Sequence, residues 1–198
     1  MGNSEGTERT DAQEEIMSAT YEALCEHGYA ALTVERIASE LGKSTAAIHY
    51  HYETKDELLV AFLDYLLDGM NEWIDTKPDA EPRKRLAGLL DGLLPAEPHD
   101  RQFTVAMLEM RAQAPYNESF RAQFVERDER TRELLKTAIE DGADAGVFDG
   151  DADAGDAARS LMALVDGGWT RYVVLDDEAA LTDARETARE YVESVLAA

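Results

Sequence analysis

Apolar residues recur along most of the chain at intervals of three and four positions, which is the spacing of one face of an α-helix. No segment keeps the strict alternation of apolar and polar positions that is typical of a β-strand. The pattern therefore predicts an all-α fold of about nine helices, separated by short segments that contain Gly, Pro or paired Asp residues.

The first helix is predicted from its two ends. Thr10 and Gln13 have the spacing of a capping box at a helix start, and Gly28 follows the last position of the apolar stripe. The polar segment Met1–Arg9 precedes the cap, and we expect it to be frayed.

A closely joined pair of helices comes next. Thr33 is a preferred N-cap residue, Gly42 suits the left-handed conformation that ends a helix, and Ser44 can cap another helix at once. Only Lys43 is left to connect the two helices. This spacing predicts a helix-turn-helix.

The second helix of the pair has two different faces. Ile48 and Tyr52 lie four positions apart and are predicted to point inward, whereas Ala46 and Tyr50 project from the opposite side. The flanks are occupied by Ala47, His49 and His51.

The rest of the chain predicts six longer helices. Thr54 and Glu57 form a further capping box, from which a helix runs to about Trp73. The Pro-containing segment 76–82 separates it from five more helices, at Arg83–Leu94, Asp100–Ala114, Asn117–Ala145, Ala154–Leu175 and Glu178–Leu196. We therefore expect a three-helix N-terminal domain, residues 1–55, and a C-terminal helical bundle, residues 56–198.

Charge and cysteine content narrow the class of protein. The chain has 42 Asp and Glu against 19 Lys and Arg, a formal net charge of −23, and the acids are spread over the polar faces of successive helices. This composition resembles that of proteins from extreme halophiles. Salt at 1 M screens charge repulsion within about 3 Å, so such a net charge is tolerated there.

Cys25 is the only cysteine, which excludes an intrachain disulfide. Without a leader or a long apolar stretch, the sequence predicts a cytoplasmic protein and no membrane partner.

One stretch departs from this acidity. Leu41–Tyr52 is the longest run in the chain without a carboxylate, although residues 1–55 contain ten acids and four bases. Duplex DNA repels carboxylates, so a DNA-binding surface must exclude them. Ala46 and Ala47 would allow close approach to a base edge, and Tyr50 can donate a hydrogen bond or stack. The helix-turn-helix is therefore predicted to bind double-stranded DNA.

The stretch GKSTAAIHYHYETKDELL, residues 42–59, resembles the TetR (tetracycline repressor) family, in which Gly and a capping Ser precede a short recognition helix rich in aromatic and His residues. The resemblance covers about Thr10–Leu63. It implies that DNA is contacted by Thr33, Lys43, Ser44, Thr45, Ala46, Ala47, His49, Tyr50, His51 and Lys55. Three features depart from the family: Lys43 replaces a hydrophobic residue, Thr45-Ala46 replaces a Lys-Gly pair, and His49 replaces a Tyr. These departures concern the operator sequence rather than the fold.

The segment ADAGVFDGDADAGDAARSLMALVDGGWTRYVV, residues 143–174, also resembles the regulatory domain of BetI-type repressors. The resemblance implies a homodimer in which the last two long helices, Asp156–Leu175 and Ala179–Leu196, pair with their symmetry mates. Such a dimer would present two recognition helices about 34–36 Å apart and read an inverted repeat.

An unknown small-molecule effector is expected in the C-terminal half. The candidate binding residues are Phe103, Met107, Met110, Arg111, Phe124, Asp166, Trp169 and Tyr172. Each apolar member is individually more typical of core packing. Arg111 can bind an anionic effector or pair with a carboxylate of a neighbouring helix, and Asp166 can serve a pocket or bond to Thr170.

Metal and catalytic sites are not predicted. Residues two apart on a helix point about 200° from one another, so neither His49 and His51 nor Cys25 and His27 can easily share an ion. The run Asp149–Asp156 has Ala154 at the glycine position of a calcium loop, and it fails as an EF-hand.

Without a nucleophile–base pair or a phosphate loop, neither an enzyme nor a cofactor is expected. The leading hypothesis is a ligand-responsive transcriptional regulator of the repressor type; the alternative is an acidic all-α ligand-binding or protein-interaction module without specific DNA binding.

Overall fold

A computed structural model describes residues 10–74, 81–96 and 101–195 of the chain, and the side chains of these residues except 68–74 and 195. Its helices are α1 Asp11–His27, α2 Val34–Leu41, α3 Thr45–His49, α4 Lys55–Ile74, α5 Pro82–Leu93, α6 Arg101–Gln113, α7 Glu118–Asp144, α8 Ala154–Val174 and α9 Ala180–Val195. A single 3-10 turn, Tyr29–Ala31, lies between α1 and α2. The described residues form no β-strand, and the predicted all-α fold of nine helices is confirmed. The predicted fraying of Met1–Arg9 lies outside the described residues.

Local capping forms the first two helices as predicted. The Gln13 amide N–H donates to Thr10 Oγ1 at 3.3 Å, and Gln13 Oε1 accepts from the Thr10 N–H at 3.0 Å, which completes the capping box. Thr33 Oγ1 accepts from the Arg36 N–H at 3.3 Å and starts α2. Gly42 ends α2 with φ 65° and ψ 22°, in the left-handed region where glycine has no steric penalty.

Two predicted caps differ in detail. Ser44 occupies the N-cap position of α3, but its hydroxyl makes no capping hydrogen bond in this five-residue helix. At α4, Thr54 Oγ1 accepts from the Glu57 N–H at 3.1 Å as expected. The Glu57 carboxylate, however, accepts from the Glu53 N–H at 2.9 Å, one residue before the cap. The sequence motif locates the helix start, while the Glu57 rotamer selects which backbone N–H donates to it.

Two apolar clusters hold the helices together. The first joins α1–α4 to the buried side chains of Ala106, Met110 and Phe120 from α6 and α7. The second joins α5, the end of α7, α8 and α9. Helix α4 packs Leu58, Leu59, Phe62 and Leu63 into the first cluster, so it forms part of the same core as the helix-turn-helix. The predicted boundary at residue 55 stays a prediction.

The later helices begin and end within about two residues of their predicted positions. The break between α7 and α8 is closed by Phe148, a buried side chain that packs onto Gly142 so closely that a Cβ there would lie 2.0 Å from its ring. Aspartates of the former calcium-loop candidate act as local caps instead, since Asp153 Oδ1 accepts from the Asp156 N–H at 2.8 Å. Across the described residues, no helix has the length and apolar character needed to cross a bilayer.

Candidate nucleic-acid interface and effector region

The short helix α3 has the two faces that the sequence predicts. Ile48 and Tyr52 point into the first cluster, with relative exposures of 1% and 6%. On the opposite side Ala46 is exposed and Tyr50 is 85% exposed. Burial of one face fixes the helix on the domain, and the other face is left open to a partner.

The flanks of α3 are partly ordered by contacts between neighbours. Thr45 and Ala47 are half-buried. His49 is exposed, and its Nδ1 lies 3.3 Å from the Tyr52 carbonyl oxygen. The half-buried His51 ring meets the Tyr50 ring edge-on, with centroids 5.0 Å apart. These contacts hold the Tyr50 ring against a defined neighbour at the exposed face.

The side chain of Lys43 already has an ion-pair partner within the protein. Its Nζ pairs with the carboxylate of Glu15 on α1, and both side chains are about half exposed. The sequence analysis missed this pair, because Glu15 lies 28 positions away in the chain. The TetR family, which this stretch resembles, has a hydrophobic residue at the position of Lys43. In this protein an ion pair joins the turn to α1 instead.

The other basic residues of the described helix-turn-helix region also have internal partners. Arg36 Nη1 donates to the Ala31 carbonyl oxygen at 2.7 Å. Lys55 Nζ lies 5.5 Å from the centroid of the Tyr29 ring, within cation–π distance. Burial raises the pKa of the Tyr29 hydroxyl, and the carboxylate of Asp56 raises it further.

The side chain of Thr33, a predicted DNA contact, both caps α2 and hydrogen-bonds to an acidic residue. Its exposed side chain accepts from the Arg36 N–H and hydrogen-bonds to Glu35. The Glu35 backbone amide, followed by the Thr33 hydroxyl, lowers the pKa of the Glu35 carboxyl. A DNA phosphate at this helix end would therefore meet an ionised carboxylate beside it.

The predicted effector residues fall into two groups. Phe103, Met107 and Phe124 are half-buried against the first cluster, and Met110 is fully buried within it. Trp169 and Tyr172 pack against the second cluster. The apolar members of the predicted set therefore pack against two different clusters.

An ion pair links the helices that carry these groups. Arg111 Nη1 on α6 donates to Asp166 Oδ1 on α8 at 2.8 Å, and this hydrogen bond raises the pKa of Arg111. The Thr170 hydroxyl donates to the Asp166 backbone carbonyl at 2.7 Å, not to the carboxylate. Of the alternatives for these two residues, the structure contains the ion pair between neighbouring helices.

The α8 aromatic pair is fixed by polar contacts that sequence reasoning missed. The Trp169 indole N–H donates to the Leu93 carbonyl at 2.9 Å, and its ring meets Tyr172 edge-on at 6.0 Å. The Arg101 guanidinium lies 5.1 Å from the Tyr172 ring centroid and pairs with Asp176 at 2.6 Å. The first residue of α6 is therefore tied to the end of α8.

Gln123 on α7 is a further polar group that the sequence did not single out. Its Nε2 donates to the Val60 carbonyl of α4 at 3.1 Å, while its buried Oε1 has no hydrogen-bond donor among the described residues. A buried acceptor beside α4 offers a polar anchor next to the half-buried Phe124.

One group of metal-type ligands occurs in the described part of the chain. Atoms of Glu26, His27 and Glu40, at the ends of α1 and α2, lie within 4.8 Å of one another. Both carboxylates are exposed, and exposed acidic groups commonly cluster without an ion. His27 is half-buried.

Two family models match the chain in series. Residues 16–62 match the model of bacterial regulatory proteins of the tetR family, and residues 82–197 match that of the C-terminal part of BetI-type transcriptional repressors. The first match contains α2 and α3, and the second contains α5–α9.

Relatives match this chain over most of their own length. The chain is 26% identical over 189 residues to the HTH-type transcriptional regulator BetI 2 of Chromohalobacter salexigens, covering 93% of this chain and 88% of that one. A TetR transcription regulator from Haloarcula marismortui is 53% identical with a TM-score of 0.89, covering 94% and 98% of the two chains. A regulator from Saccharomonospora viridis, solved in complex with choline, is 24% identical with a TM-score of 0.85, covering 96% and 100%.

Proposed function

The chain belongs to the tetR family of regulatory proteins, with a BetI-type C-terminal half, and from this premise we propose that it binds an inverted-repeat operator as a homodimer. In this proposal a small-molecule effector binds the C-terminal half and releases the DNA. The regulator acts as a repressor in the cytoplasm, where its operator lies. Family membership makes it a DNA-binding transcriptional regulator.

The observation that carries the proposal is the open face of α3. Tyr50 is 85% exposed and lies in the stretch Leu41–Tyr52, which contains no carboxylate although the chain has a net charge of −23. Ala46 is exposed and small enough to let the helix approach base edges. The hydroxyl of Ser44 makes no cap, so it is available to a phosphate at the start of the helix. The proposed DNA contacts are the ten residues that the family resemblance implies. On binding, Lys43 would leave the Glu15 carboxylate and pair with a phosphate.

The proposed dimer uses α8 and α9. Val174 and Leu175, at the end of α8, are adjacent large apolar side chains that are 61% and 60% exposed. A twofold axis beside these helices would cover them and place the same patch of each subunit in contact. Two α3 helices would then enter successive major grooves on one side of the duplex.

The proposed effector region lies around α6, between α4, α7 and α8. Its aromatic and Met side chains are half-buried, apart from the fully buried Met110, and Gln123 Oε1 offers a polar anchor. The charges of Arg111 and Asp166 neutralise each other across this region. Induction requires only that the effector bind the non-DNA-binding arrangement of the dimer more tightly than the DNA-binding one.

Selection of bound sequences from a random duplex pool at molar KCl tests this proposal. We expect enrichment of an inverted repeat whose half-site centres are about 10–10.5 base pairs apart, or a multiple of that spacing. The double variant Lys43→Ala/Tyr50→Ala is the control: it should lose the enriched site while keeping its helicity and dimeric state. Enrichment of no sequence, or of the same sequence by the double variant, would contradict the proposed function and favour an acidic protein-interaction module.

A further inference from the structure

We propose that Glu109 is a positioning residue, which holds the helix-turn-helix at a fixed orientation on the C-terminal body. Glu109 lies on α6, and its Oε2 accepts a hydrogen bond from the Tyr29 backbone N–H at 2.7 Å. The two residues are 80 positions apart in the chain. The inference adds a positioning role to the proposed function. Only the operator-binding measurement described below rests on that proposed function.

The bonded amide belongs to a helix end that requires an external acceptor. Tyr29 is the first residue of the 3-10 turn, and the first amides of any helix have no partner within it. No side chain near the turn in sequence supplies a cap. The Glu109 carboxylate fills this position from α6, and an ionised acceptor makes a stronger bond than a neutral one.

Gly28 turns the backbone toward this carboxylate. Its φ of 72° with ψ of 163° falls in a region that is essentially restricted to glycine. A Cβ at Gly28 would lie 3.5 Å from both oxygens of Glu109, so the turn and the carboxylate are in close apposition. The chain reverses here from α1 toward α2 while it faces α6.

Tyr29 connects the capped amide to the DNA-facing residues. Its ring meets Phe120 of α7 edge-on at 6.4 Å, and Lys55 at the start of α4 lies over the same ring. Thr33, the N-cap of α2, follows four positions later. A shift of Tyr29 relative to α6 would therefore move both the start of the helix-turn-helix and Lys55.

The opposite side of α6 is tied to the proposed dimer helix. Arg111 lies two positions from Glu109, about 200° around the helix, and pairs with Asp166 on α8. In addition to its apolar packing, α6 is thus joined by Glu109 to the turn before α2 and by Arg111 to α8. This arrangement fixes the orientation of α3 relative to the dimer axis.

The test compares Glu109→Ala with Glu109→Gln, which keeps a carbonyl acceptor. Glu129→Ala is the matched control, because it removes an exposed carboxylate on α7 that has no described hydrogen bond or ion pair. Hydrogen exchange at the Tyr29 amide should accelerate in Glu109→Ala, and stay near the parent rate in Glu109→Gln and Glu129→Ala. An unchanged Tyr29 exchange rate in Glu109→Ala would overturn the inference.

Orientation is measured without DNA by pulsed electron spin resonance. Labels at Ser39→Cys on α2 and Ala122→Cys on α7, in a Cys25→Ala background, report the distance between the two parts of one chain when labelled protein is diluted with unlabelled protein. Both label sites are exposed. Glu109→Ala should broaden or shift the distance distribution, and Glu109→Gln should not. A Glu109→Ala distribution identical to that of its parent would reject the positioning role.

Binding to the selected operator completes the test. Glu109→Ala should weaken affinity by roughly tenfold or more, the factor that corresponds to losing a hydrogen bond to a charged acceptor. Its dimeric state should be that of the parent, and its melting temperature should fall by only about 3–6 °C for a tenfold effect, so that the protein stays folded under the binding conditions. Unchanged affinity in Glu109→Ala would contradict the inference. If the parent protein selects no operator, the proposed function fails, while the exchange and distance measurements still judge Glu109.

Discussion

At the scale of single residues, charge pairing sets how the surface around α3 can meet DNA. Lys43, Arg36 and Lys55 each have a partner within the protein. Exposed ion pairs contribute little to stability, so a phosphate can replace Glu15 at Lys43 at small cost. When a phosphate replaces Glu15 at Lys43, the DNA releases a counterion while the freed Glu15 carboxylate takes up a cation. The net release of ions is therefore small, and the salt dependence of binding is shallow.

We therefore predict that Glu15→Gln steepens the salt dependence of operator binding. In the parent the freed Glu15 carboxylate takes up a cation, which offsets the counterion that the DNA releases at Lys43; without Glu15 the slope of log K against log salt concentration should steepen by up to about 0.9. Glu14→Gln is the control, because it removes the same charge from an exposed neighbour with no described ion pair. Anisotropy titrations at several KCl concentrations measure the slopes. Equal slopes for the two variants would show that Lys43 does not contact phosphate.

At the scale of helices, local sequence determines where elements start and tertiary packing determines what completes them. Thr10, Thr33 and Gly42 were predicted correctly because caps depend on residues within one turn. The acceptor for Tyr29 could not be predicted, because Glu109 reaches it only after α6 packs against the turn. For the same reason the inward and outward faces of α3 follow from periodicity, whereas the Lys43–Glu15 and Arg111–Asp166 pairs do not.

The close contact between α7 and the loop before α8 gives a stability prediction. Gly142→Ala should destabilise the fold by about 1–3 kcal/mol, because the new methyl group would overlap Phe148 and outweigh the roughly 1 kcal/mol gain in helix propensity. Gly150→Ala is the control, since no atom lies within 4 Å of a Cβ built there. Chemical unfolding at molar KCl compares the two. A Gly142→Ala variant as stable as the parent would mean that the Phe148 ring does not pack on α7 as described.

At the scale of the whole molecule, a net charge of −23 makes stability depend on salt. The melting temperature should rise as KCl increases toward molar concentrations, because screening weakens the repulsion among carboxylates. Each kcal/mol of repulsion relieved should raise it by about 2–4 °C for a chain of this size. Thermal unfolding followed by circular dichroism tests this, with sucrose as a non-ionic comparison. A melting temperature indifferent to KCl would remove the halophile interpretation.

Binding of operator DNA by the exposed face of α3 is tested most directly by comparing two exposed tyrosines. Tyr50, the C-cap residue of α3, is 85% exposed, and Tyr116, on the turn between α6 and α7, is 89% exposed. The measurement is the dissociation constant of Tyr50→Ala and Tyr116→Ala for the selected operator at one KCl concentration. We expect Tyr50→Ala to bind at least roughly tenfold more weakly, because a base contact is lost, and Tyr116→Ala to bind like the parent. Equal dissociation constants for Tyr50→Ala and the parent would contradict the claim.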